Sequence, residues 1–193
     1  RICAIRLKGR DLTEWLERSA SLFRRIEPGQ PDQPLIDPEF PSYNFDIIDG
    51  LDWQIDLTRP PRFAPDGHLA DAQSHRVVGA VHRGRPLDPA QEFILVTNSY
   101  RLSDCGMFAP IVAGRPVLLD GTSRTREVLR RYIARRRVLA PEGGTGWCFA
   151  PLPGTSVLFE TSPAAAPHLH RLHRQVESVG MGANGFLQLR LHL

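Results

Sequence analysis

Lysine is almost missing from this chain: Lys8 is the only one among 24 basic residues, so arginine carries the positive charge. That bias reflects coding composition, although arginine also suits phosphate groups. Net charge is scarce as well. The formal +3, from 24 basic against 21 acidic residues, is too small to indicate a nucleic-acid partner. Cysteine is limited to Cys3, Cys105 and Cys148, which make neither a disulfide framework nor a zinc-site spacing. At most one pair can form, and the spacing does not choose which. No run approaches the roughly 18 apolar residues of a membrane-spanning helix, so no membrane partner is expected. Three catalytic devices are also lacking: a Gly-x-Ser-x-Gly elbow, a His-Glu-x-x-His helix and a phosphate-cradling glycine loop before a helix. The first residues show no export-signal pattern. They read instead as a strand already under way, so the chain is expected to be an N-terminally truncated fragment whose signal lay upstream.

What is present is an ordinary globular composition, with 41% hydrophobic and 23% charged residues, over a length that suits one domain with a real core. Seventeen prolines and 16 glycines divide it into short elements. Residues 1–7 predict a strand with Ile2, Ala4 and Leu7 inward. Gly9 then turns the chain, and Asp11 caps a helix with Glu14 as its capping-box partner. Leu12, Trp15, Leu16, Ala20 and Phe23 recur at helical spacing, giving residues 12–26 an apolar face that ends before Pro28-Gly29. Five prolines between residues 28 and 41 predict an extended surface loop. Leu51, Trp53, Ile55 and Leu57 alternate with polar residues, the pattern of a half-buried strand.

A further strand is expected over residues 75–82. The continuous apolar run from Glu92 to Asn98 predicts a central strand covered on both faces. Residues 124–138 read as a basic helix with Val128, Leu129, Tyr132 and Ile133 on one face. Two late strands, 156–160 and 185–193, flank a helix expected near 165–179. Strands and helices in no strict alternation give an α+β class: a mixed β-sheet with packed helices, forming one domain over residues 1–193.

Four groups of residues carry potential chemistry. Among Asp46, Asp49, Asp52 and Asp56, the last two occupy the solvent face of the alternating strand. His168, His170 and His173 invite a metal reading, because on a helix His170, His173 and Glu177 share one face; a solvated histidine-rich face is the commoner outcome. The arginines at 124, 126, 130, 131, 135, 136 and 137 suit a solvated face opposite the apolar stripe, or else phosphate or an acidic partner. Few aromatics accompany them for stacking, so no nucleic-acid partner is expected. The fourth group leaves the end of the 92–98 strand: Tyr100, Arg101, Leu102, Ser103, Asp104, Cys105 and Gly106. It offers an aromatic face, a guanidinium, a hydroxyl, a carboxylate and a flexible glycine, which suits a base-binding platform. An ordinary strand-exit loop is the alternative.

Several stretches together resemble one family. The run from Tyr43, Asn44 and Phe45 to Gly50, followed by Trp53 to Pro60, is similar to the "YNFD" and "IDLT" segments of the 5'-nucleotidase C-terminal domain. Gly84 to Pro89 is similar to its "G-P-DP" turn, and Phe93 to Arg101 to its "VTN-YR" strand and loop. Gly9 to Glu17 is similar to its "EWLE" helix, and Phe159 to Pro163 to its "FETSP" strand. The "YNFD" and "FETSP" runs resemble the 2',3'-cyclic phosphodiesterase/3'-nucleotidase branch.

The resemblance implies a 5'-nucleotidase C-terminal-like α+β fold that binds a nucleotide or nucleoside by stacking its base between aromatic rings. Tyr100 stands where one ring belongs, and Arg101 to Gly106 would line base and ribose, with Tyr43 and Asn44 contributing. A partner ring is expected upstream of Arg1, and the family's successive glycines are replaced here by Asp104-Cys105 before Gly106. No cofactor is expected in this chain. Two divalent metal ions are implied for an N-terminal metallophosphatase domain, its expected partner, where paired metals activate water for displacement at phosphorus. Taken alone the chain is expected to be inactive, and the parent periplasmic or secreted. The alternative is a nucleoside-binding or interaction module of a parent that is no longer a phosphatase.

Overall fold

The computed structural model describes residues 1–103, 106–136, 138–139, 146–172 and 176–193. The chain opens with β1 (Ile2–Lys8), α1 (Gly9–Ala20) and the two-residue β2 (Gln33–Pro34). A 3-10 turn at Ser42–Asn44 leads to β3 (Leu51–Ile55), β4 (Val77–His82), β5 (Arg85–Pro86) and β6 (Glu92–Asn98). Then come the short α2 (Ala109–Val112), β7 (Val117–Asp120), α3 (Thr125–Arg136) and β8 (Trp147–Phe149). The chain closes with β9 (Ser156–Thr161), a 3-10 helix (Pro163–Arg171), β10 (Val176–Met181) and β11 (Leu187–His192).

The expected mixed α+β fold resolves into three small sheets, ordered β6-β1-β7, β10-β11-β9-β2 and β5-β4-β3-β8. In two of them a parallel pair, β2 with β9 and β3 with β8, sits beside antiparallel neighbours. One core runs through the sheets and α1, with Trp15, Leu16, Phe23, Trp53, Ile55 and Val157 among its buried members. The alternation of Leu51, Trp53, Ile55 and Leu57 is realised, all four being buried. Phe23, Phe45, Trp147 and Phe149 meet mostly edge to face, with centroids 5.0–5.3 Å apart in four contacts, the arrangement favoured by ring quadrupoles.

α1 begins two residues before the expected cap. Lys8 is its N-cap, and Asp11, three residues in, accepts the Lys8 backbone N–H at 2.8 Å. That is the returning half of a capping box, not the forward half the sequence suggested. Glu14 instead pairs with Arg62 and Arg18. Gly9 is required at the junction, because a Cβ there would lie 2.1 Å from the Asp88 carbonyl oxygen.

Three expectations change. In β1 Leu7 is buried as expected and Ala4 is buried too, but Cys3 and Ile5 are buried as well and Ile2 is only half-buried, so the phase expected at Ile2 does not hold. β6 is an edge strand paired with β1 alone, and it leaves Ile94 and Val96 64% exposed. The helix expected near 165–179 is replaced by the 3-10 helix and β10, for Pro167 inside it lacks the backbone donor that a longer α-helix needs.

Two buried charges join α1 to β4. Glu17, 1% exposed, accepts the backbone N–H groups of Arg76 at 3.0 Å and Val77 at 2.9 Å. Burial pushes its carboxyl above the usual range, against the pull of those two donors. Arg76 is fully buried and donates to the carbonyls of Arg59, Ala20 and Phe23. Desolvation lowers its guanidinium to about 10, so it remains charged at neutral pH.

Candidate functional site

The loop that follows β6 is shaped by its own side chains. Asn98 Oδ1 accepts the backbone N–H groups of Tyr100 at 3.0 Å and Arg101 at 3.1 Å, an Asx-turn that ends the strand. The Ser103 hydroxyl donates to the Tyr100 carbonyl at 2.6 Å and closes a second turn. Gly106 has φ +92°, a conformation side chains disfavour, before Met107 and Phe108 enter the core. Asp104 and Cys105 lie outside the described residues.

Arg101 is the centre of the arrangement. Its side chain is 8% exposed, and its guanidinium donates to three acceptors from a segment more than 50 residues earlier. These are Asn44 Oδ1 at 2.9 Å, the Tyr43 carbonyl at 2.6 Å and Asp46 Oδ1 at 2.7 Å. The same group lies 4.7 Å from the centroid of Phe108 and 5.5 Å from that of Tyr100, within cation–π range. Phe108 in turn stacks on Trp15, centroid to centroid 4.5 Å. Trp15 donates its indole N–H to the second oxygen of Asp46 at 3.0 Å, and the Asp46 backbone N–H donates to the Ser19 hydroxyl at 3.1 Å. α1 thus fixes the turn that carries Tyr43, and Arg101 joins that turn to the loop that carries Tyr100.

The residues expected to act together therefore divide by role. Tyr100 and Tyr43 project into solvent, 59% and 67% exposed. Leu102 packs against the core, and Ser103 is half-buried. Arg101 is committed to internal bonds and positions its neighbours. Sequence reasoning missed Asp46 as a member. It looked like one of an acidic cluster, and its signal, an indole and a guanidinium converging on one carboxylate, exists only in three dimensions.

The remaining candidates scatter. His168 and His170 are exposed on the 3-10 helix and His173 lies outside the described residues. Glu177 is on β10, paired with Arg190 and His192. Among the described residues no group of three or more His, Cys, Asp or Glu is placed to hold a metal ion. An apolar cavity of about 460 Å³ lies elsewhere, between β8, the β9–β11 sheet and the 3-10 helix; His168 is among its lining residues, and none of the Tyr43, Asn44 or Tyr100 loop residues is.

Residues 1–113 match the family described as "5'-nucleotidase, C-terminal domain". The chain is 36% identical over 181 residues to the "Trifunctional nucleotide phosphoesterase protein YfkN" of Bacillus subtilis, covering 93% of this chain and 12% of that protein. It is 34% identical over 204 aligned residues to the "2',3'-cyclic-nucleotide 2'-phosphodiesterase/3'-nucleotidase" of Haemophilus influenzae, covering 100% of this chain and 31% of that one. It thus spans under a third of the length of these relatives. A Staphylococcus aureus protein described as a 5'-nucleotidase, solved in complex with alpha-ketoglutarate, shares the fold. There the TM-score is 0.60 at 20% identity, over 77% of this chain and 27% of that one. With more than half of its residues in that match, this chain belongs to the 5'-nucleotidase C-terminal domain family.

Proposed function

We propose that this chain is the substrate-binding domain of a bacterial, metal-dependent nucleotide phosphohydrolase, a periplasmic or secreted enzyme. The parent would open 2',3'-cyclic nucleotides to 3'-nucleotides and then release nucleoside and phosphate. The two relatives named for the cyclic phosphodiesterase and phosphoesterase activities support that substrate class. This domain contributes recognition of the base; the metals and the displacement at phosphorus belong to a separate N-terminal metallophosphatase domain. The supplied advantage is positioning, since holding a phosphate in line with an activated water replaces a costly encounter in solution.

The observation that carries the reading is the double hold of Arg101, which puts the two exposed tyrosines on segments bonded to one guanidinium. Stacking on such rings tolerates any base and is worth about 1–3 kcal/mol per base. Asn44, whose Oδ1 is taken by Arg101, retains amide N–H groups with which to meet a base or ribose. Asp104, Cys105 and Gly106 complete the loop's chemistry in this reading. The test is ligand-observed NMR with adenosine and 3'-AMP at millimolar concentration. Saturation of the base protons that disappears in Tyr100→Ala supports the site, and identical saturation in the variant sinks it. The chain alone should hydrolyse neither a 2',3'-cyclic nucleotide nor 3'-AMP; turnover by a metal-free preparation would refute the division of labour.

A further inference from the structure

We infer that the open cavity between β8, the β9–β11 strands and the 3-10 helix is a second binding site. It takes a small amphipathic carboxylate, with the apolar body inside and the acidic head at the mouth. Its volume of about 460 Å³ falls in the range of small-molecule sites, roughly 300–1,000 Å³. The walls are aromatic and aliphatic: Trp147 and Phe149 come from β8, Phe159 from β9, and Leu189 and Leu191 from β11.

The space has a cause in the sequence. Phe159 pairs with Leu189 and Val157 with Leu191, so β9 and β11 share one apolar face. Val157 and Leu191 join the main core. Farther along that face the covering element is the 3-10 helix, whose first turns read Pro163-Ala164-Ala165-Ala166-Pro167. Side chains that short leave the layer unfilled, and close-packed interiors rarely keep such a gap.

The mouth supplies the polar end. A 3-10 helix repeats every three residues, so Ala165, His168 and Arg171 form one row along it. Ala165 and His168 line the cavity, and Arg171 stands one turn beyond, exposed. Among the described residues no carboxylate lines the cavity. Glu160 and Glu177 alternate with the lining residues Phe159 and Val176, so they belong to the other face of the sheet. There Glu160 accepts the Asn184 amide at 2.7 Å, and Glu177 pairs with Arg190 and His192. An apolar cavity with basic groups at its rim and no acid inside selects an anionic amphiphile over a neutral one.

Decanoate titrated into this chain below its micelle-forming concentration tests the assignment, read by calorimetry and by the methyl shifts of Val176, Leu189 and Leu191. Saturation at one site, with shifts at those methyls, is the expected result. Octanoate should bind about 15-fold more weakly, two methylenes fewer at about fourfold each. Decanol should bind several-fold more weakly than decanoate. Ala165→Trp fills the cavity from a half-buried position and should abolish binding. The double variant His168→Ala, Arg171→Ala changes two exposed residues and should erase the preference for decanoate over decanol. Absence of saturation, shifts confined to other methyls, or full binding in a folded Ala165→Trp overturns the proposal. So does an unchanged preference for decanoate in the double variant, which decides the matter alone if Ala165→Trp does not fold.

Discussion

Arg101 Nη2 lies 2.7 Å from Oδ1 of Asp46, while the other oxygen of the same carboxylate takes the Trp15 indole N–H at 3.0 Å. One carboxylate thereby joins α1, the Tyr43 turn and the Tyr100 loop. The pair is mostly out of solvent, with Arg101 8% and Asp46 24% exposed. In such a pair, removing one member leaves a charge uncompensated, and the loss exceeds anything an exposed ion pair shows.

Arg101→Met should therefore lower stability by about 3–5 kcal/mol, read as a shift of the urea midpoint at unchanged slope. Arg101→Lys should not restore it, since a single ammonium lacks the planar fork that reaches three fixed acceptors. A variant with wild-type stability would mean that Asp46 and the Tyr43 turn are held by other contacts.

Glu17 gives a second test, with the opposite relation to pH from most paired carboxylates. Its folded-state pKa lies above the ordinary value of 4.5, burial being the largest cause. A raised carboxyl binds more protons when folded, so its contribution is largest at low pH and declines as pH rises from about 4.5 through the folded value. Glu17→Gln should remove that decline from the stability profile. It should also cost about 1–3 kcal/mol, because an amide NH2 then faces one of the two backbone N–H groups of Arg76 and Val77.

The surface cluster of Asp32, Arg190, Glu177 and His192 should act on the acid side. The hydrogen bond from Arg190 holds the Asp32 carboxyl below its usual range, and those from His192 and Arg190 do the same for Glu177. Lowered carboxyl pKa values give stability that is present above the unfolded values of 3.8 and 4.5 and lost as pH falls through the folded ones. Arg190→Met should lower the neutral plateau slightly and leave the most acid values unchanged, so that the limb below about pH 4 is flatter; the effect is small, as befits exposed pairs. An acid limb identical to wild type would show that other carboxylates set it.

What could be read from the sequence was local. The Leu51–Leu57 alternation gave its burial directly, because a period of two has only two faces to choose between. The same rule failed for β1, where Ile2-Cys3-Ala4-Ile5 offers apolar side chains in both phases and only the partner strands decide. At β6 the pattern was legible but its partner was not: an apolar run tells how many layers it needs, not which part of the protein supplies them. The site was legible as the loop carrying Tyr100. Its coupling to Tyr43 and Asn44, 58 and 57 residues from Arg101, rests on where a guanidinium lands after folding, and one-dimensional spacing holds no record of that.

The two residues of that turn separate structure from binding. Arg101 takes the Tyr43 backbone carbonyl, not its ring, so Tyr43→Ala should leave the urea midpoint unchanged. If the ring stacks on a base, the same variant should weaken adenosine binding by about 1–3 kcal/mol, roughly 5- to 150-fold, and Tyr43→Phe should retain it. Asn44→Ala removes an Arg101 acceptor and should lower stability and affinity together, since the guanidinium loses one anchor of the turn. An affinity unaffected by Tyr43→Ala alongside a full loss in Tyr100→Ala would leave Tyr100 as the single stacking ring. The opposing surface would then come from elsewhere in the parent, and affinity in the full parent would exceed that of this chain.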